Sequence, residues 1–254
     1  KVTRHTLTSM DVHDLDMDAN GRLWGASNDG LFCVDTNKKQ IKASDIRTFN
    51  TTNGMFPFRQ LITVKCAGDG SIWAGGTGLG VVKCIYNESS NTLSYQQITV
   101  DNGLGSNNVN SLEEDASGYI WAATEGGLAR IDSKSGRLYN YRPRNNIKSN
   151  YYHENSSIKL PDGRLLFGCN YGVAIIDPTQ VEQILCSDNN ELQITDLKIN
   201  DISIFHKENG SIAPYSAKRI ELSHNENTIT IQFSHFDYQN PEATAYQYYL
   251  EGVD

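Results

Sequence analysis

Apolar and polar residues alternate along this chain in short bursts, and the bursts recur in a fixed order. Val12, Leu15 and Met17 lead into a turn ending at Gly21, a second run centres on Trp24, and after another glycine turn a third run spans Leu31 to Val34. The same order returns with Leu61-Ile62-Val64, Trp73 and Val81 to Cys84, then with Val109-Leu112, Trp121 and Leu128 to Ile131. It returns a last time with Ile158-Leu160, Leu166 and Val173 to Ile176. The turn glycines Gly21, Gly70, Gly118 and Gly163 are 49, 48 and 45 residues apart. Alternation with a period of two marks strands, and Asn-Gly or Asp-Gly between two runs favours the positive-φ turns of antiparallel hairpins. A repeat of this length built from hairpins predicts β-propeller blades. A fourth, outer strand for each blade is expected at Ile46 to Phe49, Leu93 to Ile98 and Leu138 to Tyr141.

Small residues follow each central position: Gly25-Ala26, Ala74-Gly75-Gly76, Ala122-Ala123 and Gly168-Cys169. They suit strands covered on both faces by neighbouring blades. Trp24, Trp73, Trp121 and Leu166 are therefore expected to form the core between blades rather than a platform for sugar stacking.

The first repeat also spells half of a calcium loop. Asp16, Asp18, Asn20 and Gly21 follow the EF-hand pattern, but the twelfth position is Ser27, where that loop needs a bidentate Glu. The equivalent turns "AGDG" and "LPDG" lack the acidic ladder, and Asp14, Asp16 and Asp18 alternate along a strand. A strand entering a hairpin accounts for the pattern, and no metal site is expected.

After Asp177-Pro178 the rhythm changes. Ile229, Ile231 and Phe233 alternate with Thr228, Thr230, Gln232 and Ser234, and Asn225-Glu226-Asn227 supplies a turn before them. This reads as a half-exposed strand of an antiparallel sandwich. The expected architecture is all-β: four propeller blades, an incomplete ring, over 1–185, then part of an Ig-like β-sandwich over 190–254.

Composition narrows the partners. With Lys+Arg 22 against Asp+Glu 30 the net charge is −8, and no basic block offers a nucleic-acid face. Apolar runs are far shorter than the roughly 20 residues of a membrane span, so contact with a membrane is expected only through segments outside this sequence. Five cysteines without a CxxC pair are expected to be buried free thiols rather than a disulfide framework or zinc site.

The units "NGLGSNNVNSLEEDASGYIWAATEGGLARID" and "NGMFPFRQLITVKCAGDGSIWAGGTGLGVV" resemble the two-component-regulator propeller repeat. That repeat reads N-G-L-x-S-N-x-V, then acidic-x-x-G-x-(I/L)-W, then G-(G/L)-(L/V). Residues Tyr152 to Pro178, with Phe167-Gly168 in place of the Trp and its neighbour and ending Ile176-Asp177-Pro178, are similar to the atypical last blade of such propellers. "TDLKIN…IELSHNENTITIQFSHFDYQNPEATAYQYYLEGVD" is similar to the start of the triple-tyrosine (Y_Y_Y) sandwich domain. The resemblance implies the periplasmic sensor region of a hybrid two-component histidine kinase of Bacteroides type, the ectodomain of an inner-membrane protein. Such a receptor detects oligosaccharides, controls polysaccharide-utilisation genes and acts as a homodimer. Family sensors carry rings of about seven blades, so four repeats imply part of a longer sensor. No ATP-lid glycine pattern or phosphoacceptor helix is present, so any kinase chemistry lies outside these residues.

A search for chemistry in the chain itself returns little. The six histidines show no HxH or HxxxH spacing, and no Gly-x-Ser-x-Gly elbow occurs. "GGTGLG" joins two strands rather than opening a helix, so it reads as a hairpin, and Glu113 and Glu114 point to opposite faces of a strand. No catalytic residue and no cofactor are expected. Candidate ligand contacts are Arg59, Gln60, Asn107, Asn108, Tyr152, His153, Asn170 and Tyr171, in loops whose amide, cationic and aromatic groups suit sugar hydroxyls and ring faces. Ligand is expected on the propeller face where these loops converge, or at the junction with the sandwich. The alternatives are a propeller that grips a protein partner with the same loops, and a glycan-active enzyme.

Overall fold

Each repeat is folded by the same hairpin turn. Asp18, Ala67, Asp115 and Leu160 donate their N–H groups to the carbonyls of Arg22, Ser71, Tyr119 and Arg164 at 2.8–2.9 Å. The turn glycines hold φ of +77°, +86°, +84° and +90°, a region that costs an L side chain strain and glycine none. The structure is a computed structural model and describes residues 10–141, 149, 151–181, 192–204 and 222–234. The chain divides into two compact units, 1–182 and 183–254.

In the first unit three antiparallel sheets of four strands follow in chain order. The first holds β1 (Val12–Met17), β2 (Arg22–Ser27), β3 (Gly30–Asp35) and β4 (Arg47–Phe49). The second holds β5 (Leu61–Cys66), β6 (Ile72–Gly76), β7 (Gly80–Asn87) and β8 (Thr92–Ile98). The third holds β9 (Val109–Glu114), β10 (Tyr119–Thr124), β11 (Gly127–Asp132) and β12 (Leu138–Tyr141). A fourth sheet has three described strands, β13 (Tyr152–Lys159), β14 (Leu165–Cys169) and β15 (Gly172–Ile176). The expected outer strands thus appear as β4, β8 and β12. Third strands begin beside the end of the fourth: a Cβ on Gly30 or Gly80 would stand 2.4 or 2.2 Å from the carbonyl oxygen of Phe49 or Ile98.

The sheets stack face to face, inner strand beside inner strand, β1 on β5, β5 on β9 and β9 on β13. Three core layers fill the spaces between them, and each holds one tryptophan. Trp24 stacks on Phe49, with ring centres 5.8 Å apart, and meets the edge of Tyr86 at 5.3 Å, while Trp121 stacks on Tyr141 at 5.3 Å. Small residues are needed where blades close in: a Cβ on Gly75 would fall 2.5 Å from Val109 of the next blade.

Leu166 departs from expectation. It occupies the position of the three tryptophans yet is only half-buried, while its neighbours Leu165 and Phe167 are fully buried. The reason is packing: Trp24, Trp73 and Trp121 each face the following blade, and among the described residues no further blade lies beyond the fourth sheet. Ile158, Val173 and Ile175 on that sheet are more than half exposed. Cys33, Cys84 and Cys169 are buried free thiols and Cys66 is half-buried, whereas Cys186 lies outside the described residues.

The second unit contains one described sheet, in the order β17 (Ile202–Ser203), β16 (Gln193–Ile199), β18 (Ile229–Ser234). Asn200 and Asp201 join β16 to β17 with φ of +48° and +64°, both positive as a type I′ turn requires. The turn before β18 closes through Ser223, whose N–H and hydroxyl donate to Glu226 Oε2. Ile229 and Ile231 are half exposed rather than inward-facing, and the small described core here is Leu197, Ile199 and Ile204.

Candidate functional site

The acid of the repeat motif is a structural anchor. Asp18 accepts the backbone N–H of Asn20 and Arg22, the Arg22 Nε–H at 2.8 Å and the Trp24 indole N–H at 3.1 Å. Asp115 does the same for Ser117, Tyr119, Trp121 and Arg130. In the second blade Ala67 takes this place, and Trp73 donates instead to Ser71 Oγ, itself bonded to Asp69. Burial opposes ionisation of Asp18, but its bonds to Arg22 and Trp24 prevail and hold the carboxyl below its ordinary value of 3.8. Asp69 is likewise lowered, with burial outweighed by its bonds to Ser71. A carboxyl depressed by folding stabilises above its unfolded pKa, and that stability is lost as pH falls through the folded value. The melting temperature should therefore fall as pH drops below about 4, and Asp18→Asn should flatten that slope. A melting series across acid pH with both proteins checks this.

The other acids of the calcium-like stretch reach across to the second blade. Asp14 Oδ2 accepts the Thr63 hydroxyl and the Val64 N–H, each at 2.9 Å, and Asp16 Oδ2 accepts the Cys66 N–H at 2.8 Å. Val64 and Cys66 belong to the innermost strand β5, whose N–H groups on the side away from β6 have no strand partner, and the carboxylates cap them. Among the described residues no group of three or more His, Cys, Asp or Glu is placed to hold a metal ion.

Each inner strand also carries a bulge eight residues before its turn glycine, at His13, Ile62, Asn110 and Asn155. Polar side chains there tie blade to blade. His13 Nδ1 lies 2.7 Å from the Leu61 carbonyl oxygen, which can only accept, so this nitrogen carries the proton. Asn110 Nδ2 donates to the Tyr152 carbonyl at 2.7 Å, and Asn155 Nδ2 donates to the His13 carbonyl at 2.9 Å, linking the fourth blade to the first.

Below this belt lies a cavity of about 180 Å³ lined by the inner strands of all four blades, among them Asp14, Asp16, Lys65, Glu113, Asn155 and Ser157. Lys65 Nζ sits 3.4 Å from Asp16 and 3.3 Å from Glu113. Burial pulls the Lys65 pKa down, but Glu113 and Asp16 outweigh it, and the ammonium titrates above its ordinary range. Glu113 faces this cavity while Glu114 takes the Gly68 N–H on the opposite side, as strand alternation requires.

The eight candidate contacts lie at one end of the blades, because the start of each inner strand pairs with the end of the second strand, as Val12 does with Ser27. Their surroundings differ. Arg59 is exposed and pairs with Asp29 at 2.9 Å, and Gln60, at φ +54°, donates its N–H to the Asn28 carbonyl. Asn107 Oδ1 accepts the Val100 N–H, and Asn108 bridges the Gly78 N–H to Glu125, so both amides lock neighbouring turns. Tyr152 and His153 lie in β13 rather than in a loop. Tyr152 is fully buried, its ring edge-on to Phe167, so its side chain is core and not surface. His153 is exposed beside Tyr151, Asn170 is exposed, and Tyr171 stands 78% exposed on the β14–β15 hairpin. Lys65 escaped the sequence reading, and Glu113 entered it only as half of an adjacent carboxylate pair with no assigned role. Their signal is the appearance of charge in inner strands otherwise rich in apolar residues.

Four antiparallel sheets joined hairpin by hairpin, with inner strands side by side around a polar cavity, define an all-β chain of propeller blades. Residues 103–126 match the family described as two component regulator propeller. Over 98% of its length it is 24% identical to histidine kinase P4 of Formosa agariphila, of which it spans 18%. Among solved structures it is similar to the extracellular domain of BT3049 from B. thetaiotaomicron, assigned as a hybrid two-component system. That likeness has 22% identity and a TM-score of 0.48, over 94% of this chain and 38% of the other. A catalytically inactive virginiamycin B lyase from Staphylococcus aureus shares the fold at 15% identity and a TM-score of 0.50, over 68% of this chain and 55% of the other.

Proposed function

We propose that this chain is part of the extracytoplasmic sensor region of a hybrid two-component histidine kinase, that its ligand is an oligosaccharide, and that the segment itself is not catalytic. The observation that carries this reading is the match of 103–126 to the two component regulator propeller family, inside a chain that aligns over 98% of its own length with 18% of a histidine kinase. Exposed Arg59, His153, Asn170 and Tyr171 at one end of the blades add the cationic, amide and aromatic groups that sugars use. On this reading residues 190–254 begin a Y_Y_Y-type sandwich, the receptor is a periplasmic homodimer, and the sandwich carries the signal toward the membrane.

The test is a melting-temperature screen of the chain against defined oligosaccharides from plant and host glycans. One of them at a hundredfold excess over its Kd should stabilise the chain by about 2.7 kcal/mol. No shift with any sugar, together with stoichiometric capture of a protein partner in the absence of sugar, would replace this reading with that of an interaction scaffold.

A further inference from the structure

The axial cavity is not explained by the packing that holds the blades together. Hairpins, tryptophan anchors, small residues and the Asp14 and Asp16 caps on β5 already assemble the stack, whereas Lys65 and Glu113 place charge on inner strands, where apolar residues would serve packing better. Glu113 is the telling member. Its side chain is 8% exposed, Oε1 is held by the Ser157 hydroxyl at 3.2 Å, and among the described residues Oε2 has the Lys65 ammonium at 3.3 Å as its ion-pair partner and no well-aligned hydrogen bond. A buried carboxylate oxygen left so lightly engaged is an acceptor aimed into the cavity.

The lining also selects its occupant. A metal ion is disfavoured, since the Lys65 ammonium already occupies the space between the carboxylates of Asp16 and Glu113. An anion would meet three carboxylates and one ammonium. A neutral polyhydroxy compound fits both kinds of group, because each hydroxyl donates to a carboxylate and accepts from Lys65 Nζ or Asn155 Nδ2. Size sets a limit as well. At about 180 Å³ the cavity is smaller than the roughly 300–1,000 Å³ of drug-sized pockets, and it would hold about six waters at about 30 Å³ each, so it suits one sugar ring and not a chain.

We propose that the axial cavity is a subsite for a single pyranose or furanose ring, bound by Glu113, Lys65, Asp16 and Asn155. The proposal rests on the glycan-sensing reading above and assigns that ligand's terminal residue to the propeller axis. The test is calorimetric titration of the chain with methyl glycosides of glucose, galactose, mannose, xylose and arabinose, alongside the oligosaccharide that raises the melting temperature. One methyl glycoside should bind and compete with the oligosaccharide. Lys65→Met and Asn155→Gly should each weaken it about tenfold or more, as loss of a charge-assisted or amide hydrogen bond implies, and Lys38→Ala on the outer rim should leave it unchanged. Should Lys65→Met fail to fold, Asn155→Gly decides, because glycine accepts the φ of +50° at this exposed position, and a melting temperature kept within a few degrees of wild type separates lost ligand contact from the lost tie to His13. An oligosaccharide that binds wild type and both axial variants equally overturns the subsite while leaving glycan sensing intact. Absence of binding by any sugar, short or long, overturns both. Calcium chloride that raises the melting temperature where no glycoside binds overturns the subsite in favour of a cation site.

Discussion

Asp115→Ala should lower the stability of the blade unit by about 3–5 kcal/mol, the cost of removing one partner from a buried ion pair. Asp115 and Arg130 are 0% and 1% exposed, 3.2 Å apart, and the same carboxylate holds two backbone N–H groups and the Trp121 indole. Alanine removes the carboxylate that neutralises the guanidinium in the core, where its remaining neighbours include the Tyr119 ring at 3.6 Å. For a unit of this size the melting temperature should drop by roughly 10 °C. Pairing the change with Arg130→Met removes the buried cation that Asp115 no longer neutralises and should restore most of the loss. A double variant as unstable as the single one would show that the backbone clamp, rather than the charge, is what Asp115 supplies.

Trp24→Ala should cost about 3–5 kcal/mol, as truncation of a fully buried aromatic side chain does. Trp24 is wholly inaccessible and packs on Phe49 and Tyr86, so its removal opens the interface between the first two blades. Leu166→Ala at the equivalent place in the fourth blade should cost about 1 kcal/mol or less, since the side chain is half-buried. Denaturant melts of the two variants measure the contrast directly. Equal losses would mean that Leu166 is covered as the tryptophans are.

Much of the blade was legible before folding. The turn glycines, the alternating runs and the tryptophans are local features, and the turns at Gly21, Gly70, Gly118 and Gly163 close as their spelling requires. The candidate contacts were harder to read. Asn107 and Asn108 have the chemistry of ligand groups, but they spend it on the Val100 and Gly78 N–H groups and on Glu125. Tyr152 was misplaced because β13 carries a wide bulge between Tyr152 and Ser157, and beyond a bulge the two-residue alternation no longer predicts which face a side chain takes.

What the sequence by itself determined is the period, the hairpins and the strand faces between bulges, because each depends on groups within about one repeat of chain. What only the tertiary structure decided is which inner strands become neighbours. The sequence reads Asp14 and Asp16 as alternating strand residues, but what they bind is decided only when β5 lies beside them and offers its unpaired N–H groups. Lys65 and Glu113, 48 positions apart, become an ion pair only because β5 and β9 pack together, and Asn155 reaches His13 only because the fourth blade returns to the first at the axis. Alternation records that a strand has two faces. The stacking of blades, driven by burial of the faces around Trp24, Trp73 and Trp121, decides what each face meets.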